Sequence, residues 1–353
     1  MSRRLRALLF AHYLPTLGGG ERVMVALAEL LSGDCEMDVV TYAPRLPSRE
    51  RWEAFGLPEG LDVRRANARE FAARTARADL AIAMTNHVPL PSFARRSLLV
   101  TQFPFDDLAA MSPIRRLWSA RVLRGYELLT YSGYCAEHIA RRWRRDDTVV
   151  VAPPVRLRGY DRGAKKKLIL SVGRLTVHKR HDVLLDAYAQ LRARTPGWDF
   201  VIAGGGSPDD PTVRRLTQRA SAVGAAVVPD VDQSRLDELF RTASLYWHAA
   251  GYGRRPNAPE LAEHFGIATV EAMSAGAVPI VYDDGGSAEL VDDSVGVTWR
   301  DPEVLVNESV RLIADDSARA CQAVNAVARA QPYGAEQFRT QIRSLVYRSP
   351  TPR

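Results

Sequence analysis

The chain predicts two doubly wound α/β domains joined near its middle. Apolar runs of strand length alternate with amphipathic helical stretches along the 353 residues, and glycine runs at 18–20 and 204–206 follow two of the strands. One stretch rich in Pro, Gly and charge, Ala152 to Gly163, breaks the alternation, which restarts after Lys165-Lys166-Lys167. The length suits two domains of ordinary size, and 46% hydrophobic with 25% charged residues is the composition of a soluble globular protein.

The first strand is Leu5 to Ala11, ended by His12-Tyr13-Leu14-Pro15. After Gly18-Gly19-Gly20, the residues Val23, Leu27, Leu30 and Leu31 recur at helical spacing, giving a helix over 21–31. A glycine loop between strand and helix lets backbone amides approach a phosphate. A dinucleotide fingerprint wants an acid at the end of the second strand; Asp38 instead begins that strand, which ends at Thr41-Tyr42. Further strands follow at 61–64, 79–84, 97–102, 127–132 and 148–151, with helical segments between. Ligands gather at the carboxyl ends of such strands, which places the glycine loop, Asn86-His87 and Gln102-Phe103-Pro104 along one rim. His87 reads as a loop histidine with an ordinary hydrogen bond, or as a contact to a ligand.

Residues 112–125 put Ile114, Leu117, Trp118 and Val122 on one helical face among Arg115, Arg116, Arg121 and Arg124, and Arg141, Arg142, Arg144 and Arg145 flank Trp143. Cationic stretches bearing aromatics lie on anionic membrane surfaces, or are plain outer helices of an arginine-rich protein.

The second half opens on a strand, 168–172, then Gly173-Arg174 and, five residues on, Lys179 before a helix carrying Val183, Leu184, Ala187, Tyr188 and Leu191. Two cations so spaced clamp two phosphates from either side. Apart from Lys165, Lys166 and Lys167, Lys179 is the chain's one lysine, and a compact ammonium differs from a guanidinium at a crowded phosphate. Strands at 199–203 and 225–228 follow, the first ending in Gly204. Asp230-Val231-Asp232 has the look of a metal-binding acidic pair, but Asp232 precedes Leu236, Leu239 and Phe240 at helical spacing and reads as an N-cap. A strand at 244–248 and a long loop, 249–262, deliver Glu263. Ile267, Val270, Met273 and Ala277 then predict a short buried helix from Gly266, with Glu271 in its first turn beside free N–H groups. The strand 277–282, the turn 283–289 with Gly285-Gly286, and helices over 301–314, 317–330 and 335–347 complete the chain.

The stretch Glu263-His264-Phe265-Gly266-Ile267, with Glu271 eight positions after Glu263, resembles the Glu-x7-Glu motif of retaining glycosyltransferases of family 4. Its wording is most similar to that of GDP-mannose-dependent α-1,2-mannosyltransferases. The resemblance implies the GT-B fold: two Rossmann-like domains, 1–158 on the acceptor side and 159–333 for the nucleotide sugar, an interdomain cleft, and a last helix, 334–353, crossing back onto the first domain. Arg174 and Lys179 would neutralise the donor diphosphate, Glu263 would hold a hydroxyl of the transferred sugar, and Glu271 would accept the ribose hydroxyls. Gly19, Gly20, Gly204, Val231, His264, Phe265, Gly266 and Ile267 would border the donor. His87, Gln102, Gly285 and Gly286 would lie near the donor sugar or the acceptor. Gln102 stands where relatives often carry histidine, and an amide cannot titrate near neutral pH. The reaction implied is metal-independent transfer of a hexose, with retention, to a lipid-linked, cell-envelope or small-molecule acceptor. No cofactor is expected beyond the donor substrate. A nucleotide-sugar epimerase and a non-catalytic nucleotide-sugar binder are the rival readings.

The net charge of +7 comes from arginine spread along the whole chain and marks no nucleic-acid module. Cys35, Cys135 and Cys321 are odd in number and have no metal-ligand spacing, which fits a reducing compartment. Arg6 interrupts the apolar start, so a first strand rather than a signal sequence is expected. These features suit a cytoplasmic monomer or weak homodimer, peripheral on the inner membrane face where the arginine-flanked helices touch it.

Overall fold

The structure is a computed structural model and describes residues 4–12, 19–43, 46, 56–58, 60–255 and 257–348. The chain divides into two compact units, Met1–Pro154 with Glu336–Arg353, and Val155–Ala335. Val155 to Arg158 fall in the second, where Val155 pairs with Gly334 and the Arg158 backbone N–H donates to Ser274 Oγ at 2.9 Å.

In the first unit, strands β1 (Leu5–Ala11), β2 (Cys35–Thr41), β3 (Val63–Arg65), β4 (Leu80–Met84), β5 (Arg96–Val100), β6 (Glu127–Thr130) and β7 (Val149–Val150) form one parallel sheet, in the order β3-β2-β1-β4-β5-β6-β7. All five residues of β4 are buried, as expected for a strand covered on both faces. Among the described residues, the helices up to residue 154 are α1 (Gly19–Ser32), α2 (Ala68–Thr75), α3 (Pro113–Arg124) and α4 (Gly133–Trp143). The capping box of α2 shows how locally its start is written: Asn67 Oδ1 accepts from Arg69 and Glu70 N–H at 3.0 Å each, and Glu70 Oε2 accepts from Asn67 N–H at 2.8 Å.

The second unit repeats the plan with β8 (Leu168–Val172), β9 (Asp199–Gly204), β10 (Ala226–Pro229), β11 (Leu245–His248), β12 (Val278–Tyr282) and β13 (Val297–Trp299), all parallel, in the order β10-β9-β8-β11-β12-β13. Around it lie α5 (His181–Arg194), α6 (Pro211–Val223), α7 (Gln233–Thr242), α8 (Ile267–Ser274), α9 (Pro302–Ala314) and α10 (Asp316–Ala330). Val183, Leu184, Ala187, Tyr188 and Leu191 of α5 share one buried cluster with Trp198, Phe200, Trp247 and Trp299. The C-terminal helix α11 (Ala335–Tyr347) belongs to the first unit. There Phe338, Ile342, Leu345 and Val346 are buried, Tyr347 Oη donates to Asp34 Oδ2 at 3.0 Å and Arg96 Nη1 donates to Val346 O at 3.0 Å.

Several expectations need correction. Strand β2 starts at Cys35, so Asp38 sits in its middle and pairs with Leu8. Gly19 and Gly20 are the first residues of α1, not loop, and Gly18 lies outside the described residues. Val122 does not share a face with Ile114, Leu117 and Trp118; it is buried with Ser119 and Leu123 on the opposite side of α3. Trp143 is core, its Nε1–H donating to Asp106 O at 3.0 Å. The arginines around it are largely spent on structure: Arg141 pairs with Glu137, Arg142 donates to Pro104 O and stacks on Phe103, and Arg145 pairs with Asp147.

Gly204 closes β9 against the loop after β8. Its φ is +154°, and a Cβ there would stand 1.8 Å from Gly173 O, whereas a Cβ on Gly205 would meet nothing within 4 Å. Gly204→Ala should therefore cost roughly 2–4 kcal/mol in denaturant unfolding, while Gly205→Ala stays within about 0.5 kcal/mol of the parent.

Candidate active site

In each sheet the connections reverse direction at one place, and the crevice at the carboxyl ends of the strands there is where ligands bind. In the second unit that switch point lies between β8 and β11, and the loops after these strands carry Arg174 with Lys179, and Glu263. The topology, not proximity in sequence, brings residues 84 positions apart into contact: Lys179 Nζ donates to Glu263 Oε2. His248, at the end of β11, lies 3.4 Å from the same oxygen through Nε2 and is buried. Burial alone pushes the Glu263 carboxyl up, but the Lys179 ammonium and the His248 imidazole outweigh it and hold Glu263 well below the ordinary carboxylate range. Burial lowers His248, partly opposed by Glu263, so the imidazole stays neutral around pH 7.

Arg174 is exposed and makes no ion pair among the described residues. Arg180, next to Lys179, adopts the left-handed region at φ 51°, a strained position for a non-glycine residue. Its guanidinium is fixed by Asp182 at 3.1 Å and by Tyr252 O, so the turn presenting Lys179 is locked on both sides.

The Glu263 backbone is held by the glycine pair downstream. Gly286 N–H donates to Glu263 O at 2.6 Å, and a Cβ on Gly285 or Gly286 would come within 2.4 Å of Glu263 O or 2.3 Å of His264 O. These glycines therefore act through the acidic loop, which they approach at backbone contact. His264 Nε2 lies 3.2 Å from Glu260 O, and Phe265 packs edge-on against Tyr333. The 249–262 loop is pinned by Arg254–Asp284, at 2.7 Å, and by Tyr252 packed on Tyr282 and Trp299.

Helix α8 begins at Ile267 after Gly266 in the left-handed region, with no side chain capping it. Ser287 Oγ is buried without a hydrogen-bond partner among the described residues, and it and Thr269 Oγ1 lie close to where a Gly266 Cβ would stand. An uncapped helix start beside the unpartnered Ser287 hydroxyl suits an anion. Glu271 is the fifth residue of α8 and so sits in its second turn, not its first. It is buried, and its Oε1 accepts from Arg158 Nη2 at 3.1 Å. Arg158 also pairs with Asp237 and lies 4.3 Å from the Phe240 ring centre.

Beyond Gly204, Asp230 N–H donates to Gly204 O and Asp230 Oδ1 accepts from Gly206 N–H, both at 2.8 Å. Asp232 caps α7, accepting from Arg235 N–H at 2.8 Å, and Val231 between them packs at the edge of the core. Among the described residues no group of three or more His, Cys, Asp or Glu is placed to hold a metal ion.

In the first unit the switch point lies between β1 and β4. A hollow at the ends of these strands is lined by His12, Gly20, Met84, Asn86 and Gln102. Asn86 Oδ1 accepts from Gln102 N–H at 3.0 Å and Phe103 N–H at 3.2 Å, and the Gln102 amide covers Gly20, where a Cβ would stand 2.0 Å from Nε2. His87 Nδ1 lies 3.3 Å from Asp106 Oδ1. The arrangement brings Gly20, Asn86 and Gln102 together, and ties His87, on the loop after β4, to a carboxylate on the loop after β5.

Sequence reasoning missed His248, His181 and Arg158. The first two look like ordinary termini of a strand and a helix, and Arg158 sits in a stretch that reads as linker. Lys179 and His181 are neighbours in the chain, and the β8–β11 adjacency brings His248 to them.

Residues 158–329 match the family model of glycosyl transferases group 1, just short of half the chain. Over 226 residues the chain is 26% identical to a GDP-mannose:cellobiosyl-diphosphopolyprenol α-mannosyltransferase of Komagataeibacter xylinus, covering 61% of this chain and 54% of the relative. It is 25% identical to a phosphatidyl-myo-inositol mannosyltransferase of Mycolicibacterium smegmatis over 92% of this chain and 89% of the relative. The chain spans about half or less of the length of several curated relatives it matches. Among solved structures, HepE of Anabaena in complex with UDP superposes with a TM-score of 0.75 at 17% identity, over 97% of this chain and 99% of that one. These matches support a glycosyltransferase family.

His181 is buried, and burial, with the Lys179 charge beside it, lowers it to about 4. Between about pH 6.5 and 4 the unfolded chain binds a proton there and the folded chain does not, so stability falls as pH drops through that window. His181→Leu should flatten the decline, preserving on the order of 2 kcal/mol at pH 5 relative to the parent in denaturant titrations.

Proposed function

We propose that this chain, which has the two-domain α/β GT-B fold, is a retaining family 4 glycosyltransferase moving a hexose from a nucleoside-diphosphate sugar to an acceptor hydroxyl. The observation that carries the reading is the Lys179–Glu263 contact at the switch point of the second sheet, with Glu263 four residues ahead of the uncapped α8 start and Arg174 exposed and without an ion pair among the described residues. A diphosphate needs positive charge without bulk, and Lys179, Arg174 and the α8 amides supply it. Glu263, kept ionised, accepts a hydroxyl of the transferred sugar, and Glu271, oriented by Arg158, accepts the ribose hydroxyls. Gly204, Val231, His264, Phe265, Gly266 and Ile267 border the donor in this reading. The anomeric C–O bond to the diphosphate breaks as the acceptor oxygen attacks from the same face, and the departing phosphate takes the acceptor's proton. Negative charge growing on that phosphate meets cations already in place. No metal is invoked in this reading.

Mannose is favoured as the sugar by the names of two relatives, and both names also carry lipid acceptors. The structural neighbour holds UDP, so a donor screen must include both bases. Melting the protein with GDP, UDP, GDP-mannose and UDP-glucose should show stabilisation by one base and its sugar. With acceptor present, nucleoside diphosphate should be released and the α-glycoside formed. Conversion of the donor sugar without acceptor would indicate an epimerase, and an intact donor under every acceptor tried would indicate a binder. Lys179→Ala and Glu263→Ala should each lower transfer by at least ~100-fold, measured on folded protein, because each removes a charged contact at the reacting diphosphate sugar.

A further inference from the structure

Helix α3 exposes what a folded protein normally hides. Ile114 is 83% exposed, Leu117 69% and Trp118 50%, three large apolar side chains within five positions. They sit at i, i+3 and i+4, so they form one stripe, with Arg121 a turn further along it. The opposite side buries Ser119, Val122 and Leu123 against the first unit, so the stripe is not an unpacked core face. Arg115, Arg116, Arg121 and Arg124 surround it, all exposed, none with an acidic partner among the described residues, and the helix contains no acid.

The next helix provides a control within the same molecule. In α4 and its C-terminal turn, Trp143 is core, and three of the four arginines beside it, Arg141, Arg142 and Arg145, are engaged with Glu137, with Pro104 O and Phe103, and with Asp147. A bias toward arginine alone would leave both helices alike. Only α3 combines uncompensated guanidinium groups with uncovered apolar ones.

We infer that α3 is a membrane-surface helix that lies parallel to an anionic bilayer, with Ile114, Leu117 and Trp118 at the acyl boundary and the arginines among the lipid phosphates. The charge pattern decides the occupant. An apolar protein partner would leave four desolvated cations unpaired, whereas a phosphate-bearing surface satisfies them while its interior takes the stripe. Arginine suits this task because its fork matches phosphate oxygens and its stem packs on apolar surface. The inference concerns the first unit alone and stands independently of the chemistry assigned to Lys179 and Glu263.

The test is co-sedimentation of the full chain with vesicles of phosphatidylcholine, alone or with equal parts of phosphatidylglycerol. The parent should bind the anionic vesicles, and at least ~10-fold less well to neutral vesicles or in about 0.5 M salt. Leu117→Ser with Trp118→Ser, and separately Arg121→Glu with Arg124→Glu, should each weaken binding at least ~10-fold. The circular-dichroism melt should stay unchanged, since all four side chains are exposed. Arg141→Ser should bind as the parent does. Failure of the parent to bind anionic vesicles, or equal binding by parent and both double variants, would overturn the inference. So would a change in oligomeric state of the Leu117/Trp118 variant without vesicle binding, which would place α3 in a protein interface.

Discussion

The second unit is organised around one ion pair placed where β8 and β11 diverge. Two opposite unit charges about 4 Å apart attract by ~4 kcal/mol at an effective dielectric near 20, and withdrawing each from water costs several kcal/mol. The Lys179–Glu263 pair is thus not there for stability alone; apolar residues of similar volume would serve the fold as well. What the pair does achieve is a fixed carboxylate and a fixed ammonium at the carboxyl edge of a sheet. The ammonium has three donors, of which Glu263 uses one, so it can hold the acid and a phosphate oxygen together.

Much of the neighbouring backbone is shaped to keep that pair in place. Gly285 and Gly286 sit at contact distance from the Glu263 and His264 carbonyls, where any side chain would push the acid away. Gly204 lets β9 close on Gly173, and Arg180 tolerates a left-handed backbone because two partners hold its guanidinium. Strain of this kind persists only where the surroundings over-determine it, and here it surrounds one turn and one loop. His248 completes the arrangement by orienting Glu263 from inside the sheet.

The doubly wound plan was readable because parallel strands buried on both faces leave continuous apolar runs, and β4 and β8 do so almost without interruption. Lys179 and Glu263 were readable from residue type and spacing within their own loops. Their contact was not, because it depends on strand order, which no local pattern encodes. The same holds for His181 and His248, whose burial follows from that order. Glu271 was misplaced by one turn: counted from either Gly266 or Ile267, it lies past the first turn of about 3.6 residues of α8. Arg158 was hidden for a different reason. A stretch dense in Pro, Gly and Arg reads as solvent-exposed linker, yet this guanidinium is buried between two acids and an aromatic ring.

The choice of lysine at 179 in a chain otherwise rich in arginine follows from the same geometry. A guanidinium is planar and wide, and it binds a carboxylate best through two parallel donors. Placed here, it would engage both Glu263 oxygens at once, so a further donor would have to share an oxygen with it. An ammonium occupies one oxygen of Glu263 from a single point and leaves the other for a hydroxyl. A chain that uses arginine almost everywhere thus departs from its habit where a compact, shareable cation is required.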